Sequence, residues 1–147
     1  MSRKRLQKLI SERVNADINR REEIDKKIWN LFGEKWAIMF TDLSGFSRGV
    51  EKFGIIHFIQ VIHESERVLT PIIEDFGGIV LKTEGDSLMG IFRSTEKAVM
   101  CSIEMQKESL KYNESKEEEE QIHLCIGLGY GDVLRIGDSD VFGAEVS

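Results

Sequence analysis

Proline, cysteine and histidine are scarce in this chain, at one, two and three residues of 147. Long apolar runs are missing as well: none approaches the roughly 20 residues that a transmembrane helix needs, so no membrane span is expected. The N-terminus is basic, but no apolar stretch follows it, so it is not expected to be a secretory signal. Basic residues are outnumbered, 20 Lys and Arg against 26 Asp and Glu, and the net charge of −6 argues against a domain-wide surface for nucleic acid. Cys101 and Cys125 have neither CxxC spacing nor a His cluster nearby. They read as reduced, partly buried thiols of a cytoplasmic protein rather than a zinc site or a disulfide framework. His57, His63 and His123 do not stand at ligand spacing and read as structural. Ser44 and Ser47 have no companion His, so no serine nucleophile is expected.

What remains is an ordinary soluble composition, 41% hydrophobic and 31% charged, in a length that suits one domain with a real core. Residues 3–32 predict helix. Leu6, Ile10, Val14 and Ile18 recur every fourth residue, and Ile24, Ile28 and Phe32 resume the stripe after a skip, with Gly33 as a stop. This N-terminal segment, 1–35, is either a signalling or dimerising helix or one packed on its own domain. Trp36–Thr41 predicts a buried strand ended by Asp42. Residues 46–76 read as helix in two pieces with a break near Gly54 and a kink near Pro71. Ile79–Thr83 and Ser87–Phe92 predict a hairpin turning at Glu84-Gly85-Asp86. Residues 94–112 predict a helix with one apolar face at Ala98, Cys101 and Met105 and a second at Val99, Ile103 and Leu110. Residues 113–121 are a charge run expected to be a solvated loop. Gln121–Tyr130 alternates as a strand, and Gly131-Asp132 is expected to turn it back into Val133–Ile136. The order predicts a mixed α/β sheet with helices on one face.

Asp42 at a strand end and Asp86 at a hairpin turn are carboxylates of the kind that hard divalent cations take, one or two at a time, together with substrate phosphates. Ser44-Gly45-Phe46-Ser47 between them opens a helix, where main-chain N–H groups can cradle phosphate. Each piece alone is a weak signal, since an Asp closing a strand is usually a turn former or N-cap and Gly-Asp is a common hairpin turn.

The segments containing these residues resemble a known family. Phe40-Thr41-Asp42-Leu43-Ser44-Gly45-Phe46-Ser47 is similar to the first signature of the class III adenylate and guanylate cyclases, and Lys82-Thr83-Glu84-Gly85-Asp86-Ser87-Leu88-Met89 to their second. Ile126-Gly127-Leu128-Gly129-Tyr130-Gly131-Asp132-Val133 resembles their glycine-rich strand pair, and Asp140-Val141-Phe142-Gly143 the approach to their last catalytic helix. The resemblance spans residues 36–147. It implies a ferredoxin-like α+β fold with a mixed, mainly antiparallel sheet. It also implies an adenylate cyclase, a phosphorus–oxygen lyase that acts on ATP as a homodimer with sites between subunits. Asp42, Leu43 and Asp86 would hold two Mg²⁺ or Mn²⁺ ions, and Ser44, Gly45, Phe46 and Ser47 the phosphates. Lys82 and Asp140 from the other subunit would read the adenine.

The family pattern also has an Asn seven residues past the base-reading Asp and an Arg four residues later. Ser147 stands at the first of these positions, and the chain stops there. The expectation is a fragment of a longer cyclase with low activity of its own, or else a degenerate one. The alternative function is a non-catalytic, cyclase-like module for nucleotide binding or regulatory dimerisation.

Overall fold

The computed structural model describes residues 2–45, 51–136 and 140–143. The elements in chain order are α1 (Ser2–Val14), α2 (Ile18–Phe32), β1 (Gly33–Leu43), α3 (Ile55–Asp75), β2 (Ile79–Glu84), β3 (Ser87–Phe92), α4 (Thr95–Asn113), a 3-10 turn (Glu118–Glu120), β4 (Leu124–Ile136) and β5 (Asp140–Phe142). The strands form one sheet in the order β2-β3-β1-β4-β5. β3 pairs antiparallel with both β1 and β2, and β4 with β5. This is the mixed α+β fold with a mainly antiparallel sheet that the sequence implies. Two compact units are distinguishable, Ala37–Tyr130 and the remainder, Met1–Trp36 with Gly131–Ser147.

In the smaller unit the N-terminal helical stretch is two helices. Asp17 breaks the run: it takes an extended conformation, and its carboxylate accepts from the Arg20 N–H at 2.8 Å as the N-cap of α2. Arg21 donates to the carbonyls of Arg13 and Val14 at the end of α1, satisfying groups that a helix terminus leaves open. Arg13 grips Asp25 through two bonds of 2.6 and 3.2 Å, joining α1 to α2. That guanidinium holds the Asp25 carboxyl below its usual range. Leu9, Ile24, Ile28 and Phe32 bury themselves with Ile136 of β4, while Ile10, Val14 and Ile18 stay exposed. The buried face of α1 is therefore set by Leu9, with Leu6 of the fourfold stripe partly buried beside the same cluster. Gly33 ends α2 and begins β1 at once. Its N–H donates to Trp29 O, and a Cβ there would stand 2.5 Å from that oxygen.

The larger unit has its core between α3, α4 and the sheet: Ala37, Met39, Leu69, Ile73, Leu88, Phe92, Ala98, Cys101 and Met105. α3 contributes the stripe Phe58, Val61, Ser65, Leu69 and Ile73, three to four residues apart, and runs through Pro71 to Asp75. It ends at Gly77, φ 79°, where the Gly78 N–H reaches back to Ile73 O at 2.9 Å, a six-to-one closure. The β2–β3 hairpin turns through Gly85 and Asp86. Gly85 has φ 58° at the first central position, as a two-residue II′ turn requires.

α4 starts from Ser94, whose hydroxyl accepts from the Lys97 N–H, and buries Ala98, Cys101, Met105 and Ser109. Val99, Ile103 and Leu110, expected as a second apolar face, are exposed. Burial pushes the Cys101 thiol up to about 11; Cys125 is exposed, and both are free. Ser109 Oγ is buried with no hydrogen-bond partner among the described residues. A desolvated, unpaired hydroxyl is a net cost, so Ser109→Ala should raise unfolding stability by about 1 kcal/mol. Urea denaturation reads this directly, and a loss of stability would mean that the hydroxyl is satisfied in solution.

One expectation fails in β4. Gly131-Asp132 does not turn; the chain continues as a single strand from Leu124 to Ile136. A two-residue hairpin turn of the usual I′ or II′ kind would place Gly131 at positive φ, and among the described glycines only Gly45, Gly54, Gly77 and Gly85 have it. The return strand is β5, whose Asp140, Val141 and Phe142 pair with Ile136, Arg135 and Leu134. The break expected near Gly54 is present, with φ 88° directly before α3.

Candidate metal and nucleotide site

β1 and β3 pair from Ala37 opposite Phe92 to Thr41 opposite Leu88. That register carries the end of β1 alongside the β2–β3 turn. Thr41 is buried, and its hydroxyl accepts from the Leu88 N–H at 3.2 Å, pinning the base of the turn. Beyond it, one donor serves two carboxylates. The Leu43 N–H lies 2.9 Å from Asp42 Oδ1 and 3.3 Å from Asp86 Oδ2. The two aspartates, far apart in sequence, thus meet at a single main-chain N–H.

Their proximity shifts a titration. The Asp42 carboxyl is raised from its ordinary value, first because it hydrogen-bonds to Asp86, then through burial; the Leu43 N–H pulls the other way, and the charge of Asp86 adds to the rise. Two carboxylates this close resist being charged together. A divalent cation would remove that conflict, so the donor set fits one. Among the described residues no group of three or more His, Cys, Asp or Glu forms a closed cage. A pair of carboxylates suits Mg²⁺, which keeps waters and substrate phosphates in the rest of its shell.

Leu43 also buries its side chain against Val61 and Ile122. Ser44 follows, its N–H and hydroxyl both directed to the His123 carbonyl, at 2.8 and 3.4 Å. Gly45 has φ 80°. Phe46 and Ser47 lie outside the described residues. A cavity of about 380 Å³ adjoins this loop, lined in part by Leu43, Ser44, Gly45, His57, Phe58 and His123. Lys82 is exposed on β2 just after a register shift, and Asp140 opens β5; they belong to different units. His57 and His123 have local roles. The ring of His57 meets Glu119 O at 2.7 Å, and His123 offers its carbonyl to Ser44. Neither link is visible in sequence spacing, since Ser44 and His123 are 79 residues apart.

The family model described as the adenylate and guanylate cyclase catalytic domain matches residues 33–146. The chain belongs to the class III nucleotide cyclases. Its relatives carry the domain in much longer proteins. It is 26% identical to the serine/threonine-protein kinase pkn2 of Myxococcus xanthus over 70% of this chain and 12% of that protein. It is 30% identical to adenylate cyclase type 10 of Mus musculus over 74% of this chain and 7% of that one. Among solved structures, a bacterial light-regulated adenylyl cyclase superposes with a TM-score of 0.72 at 25% identity, covering 78% of this chain and 37% of that one. The cyclase domain described here thus spans a small part of the curated relatives it matches. No helix among its described residues is long and apolar enough to cross a membrane.

Proposed function

We propose that this cyclase domain converts ATP to cyclic AMP and pyrophosphate by intramolecular phosphoryl transfer. The observation that carries the reading is the convergence of Asp42 and Asp86 on the Leu43 N–H. These two carboxylates, with the main chain of Leu43, would hold two Mg²⁺ or Mn²⁺ ions. Bound there, the ions make the ribose 3′-hydroxyl more acidic and neutralise the leaving phosphates. The chain's own part is positioning. The main chain from Ser44 to Ser47 would contact the phosphates, as the cyclase resemblance implies, and no side chain is needed as a general base. The domain acts as a homodimer, with the metal pair of one copy completed by the base-reading pair of the other. Its place is the cytoplasm, where nucleoside triphosphate is abundant and thiols such as Cys101 and Cys125 stay reduced.

Lys82 donates to a ring nitrogen of adenine, and Asp140 accepts from the exocyclic amine. Guanine presents a carbonyl oxygen at that position, which leaves the Asp140 acceptor unpaired at a cost of about 1–3 kcal/mol. The full-length protein with Mn²⁺ should therefore prefer ATP to GTP in kcat/KM by roughly 5- to 150-fold. Lys82→Glu combined with Asp140→Cys should bring that ratio close to unity. An unchanged ratio would remove both residues from base recognition.

A further inference from the structure

We propose that Asn113, the last residue of α4, is a positioning residue for the metal-bearing loop at residues 42–45; this rests on the functional reading above. Asn113 is remote from that loop in sequence, and the cyclase resemblance does not single it out. Its carboxamide makes two bonds to one residue. Nδ2 donates to Ile122 O at 2.8 Å, and the Ile122 N–H donates to Oδ1 at 2.7 Å. The side chain thus reads both main-chain groups of Ile122, as a paired strand would, and fixes the peptides on either side of that residue. Only an amide supplies donor and acceptor side by side in this way.

Two routes lead from Ile122 to the metal pair. The first is packing: the Ile122 side chain is fully buried in a cluster with Leu43 and Val61, and Leu43 holds both carboxylates through its N–H. The second runs along the main chain. His123, next after Ile122, accepts from the N–H and hydroxyl of Ser44, the residue after Leu43. Asn113 therefore closes the charged loop that follows α4 and presses its far end onto the loop carrying Asp42. Gln121 braces the same closure, donating to Asn113 O and Lys116 O. At the opposite end of α4 from Asn113, the Ser94 hydroxyl caps the helix by accepting from the Lys97 N–H. Groups that orient metal ligands from outside commonly alter metal affinity 10- to 100-fold when removed.

The test compares three variants of the full-length protein by direct titration with Mn²⁺ alone, following free Mn²⁺ by electron paramagnetic resonance, and by the Mn²⁺ dependence of cyclic AMP formation at saturating ATP. Asn113→Ala should weaken Mn²⁺ binding about tenfold and shift the activation curve by a similar factor. The ATP-to-GTP preference should stay unchanged, since Lys82 and Asp140 are not on either route. Asn113→Asp keeps the acceptor for the Ile122 N–H but sets a carboxylate against the Ile122 carbonyl; it should shift Mn²⁺ binding in the same direction, and it serves should the Ala variant fail to fold. Ser94→Ala removes that distant cap and should leave Mn²⁺ binding within about twofold, because it lies off both routes. Equal Mn²⁺ affinity in wild type and a folded Asn113 variant would overturn the proposal, as would an equally large shift in Ser94→Ala, which would signal a general loss of α4 order. Failure of the wild type itself to bind Mn²⁺ would overturn the metal assignment and this proposal with it.

Discussion

Asp42→Ala or Asp86→Ala is expected to lower cyclic AMP formation roughly a thousandfold while leaving the fold intact. Each carboxylate neutralises charge that the reaction develops at phosphate, an effect of several kcal/mol. About 4 kcal/mol corresponds to three decades of rate. The same geometry keeps the fold intact. Asp42 is raised from its ordinary value by its neighbour Asp86 and by burial. A folded carboxyl above its unfolded value lowers metal-free stability as pH rises past the unfolded value, and that penalty is complete above the folded one. Neutral pH lies where Asp42 opposes folding, so Asp42→Asn should melt no lower than wild type without metal. Added Mn²⁺ should then raise the melting temperature of the wild type and not of the variant. Cyclic AMP formation within tenfold of wild type in both alanine variants would sink the assignment, whatever the melting curves show.

The second large effect lies in packing, at Gly78. A Cβ there would stand 2.5 and 2.7 Å from two ring carbons of Phe92 and 2.8 Å from Ile73 Cγ2. Neither neighbour can retreat: Phe92 is 1% exposed and Ile73 0%, both within the main core. The main chain is fixed too, since the Gly78 N–H closes the end of α3 on Ile73 O. Overpacking of this kind costs about 3 kcal/mol, a large share of the 5–15 kcal/mol that stabilises a typical domain. Gly78→Ala should lower the melting temperature by about 10 °C for a chain of this size. Phe92→Leu opens the space that the new methyl needs. The double variant should be more stable than the two single effects predict by over about 0.5 kcal/mol. A Gly78→Ala protein within 0.5 kcal/mol of wild type would show that the ring moves freely, against its burial.

What the sequence announces and what it conceals follow the range of the interactions. The β2–β3 hairpin was legible because Gly85 supplies the positive φ that a two-residue turn needs. α4 was legible because Ala98, Cys101 and Met105 share a face and do go inside. The break at Asp17 was masked by apolar residues that continued the fourfold stripe across it, although an Asp placed to cap a helix was there to be read. Gly131-Asp132 suggests a turn on composition alone, yet β4 runs straight through both residues and pairs with β5 only from Leu134 onward. In the site, the two aspartates could be named from the motifs around them. Their meeting at one N–H depends on the register of β1 against β3, which no local pattern encodes. The hold of Asn113 on Ile122, and of His123 on Ser44, depends on tertiary folding in the same way.

Leu43 shows what this means for substitution. Its side chain belongs to the core with Val61 and Ile122, while its N–H belongs to the two aspartates. The position can exchange one apolar side chain for another of similar volume and keep its place in the site, because the chemistry is in the backbone that every residue but one shares. Proline is that exception, for it has no hydrogen on nitrogen to offer. A chain carrying proline there would keep both carboxylates and lose the donor that gathers them. Two sequences can therefore match at every acidic residue of this site and still differ in whether it assembles.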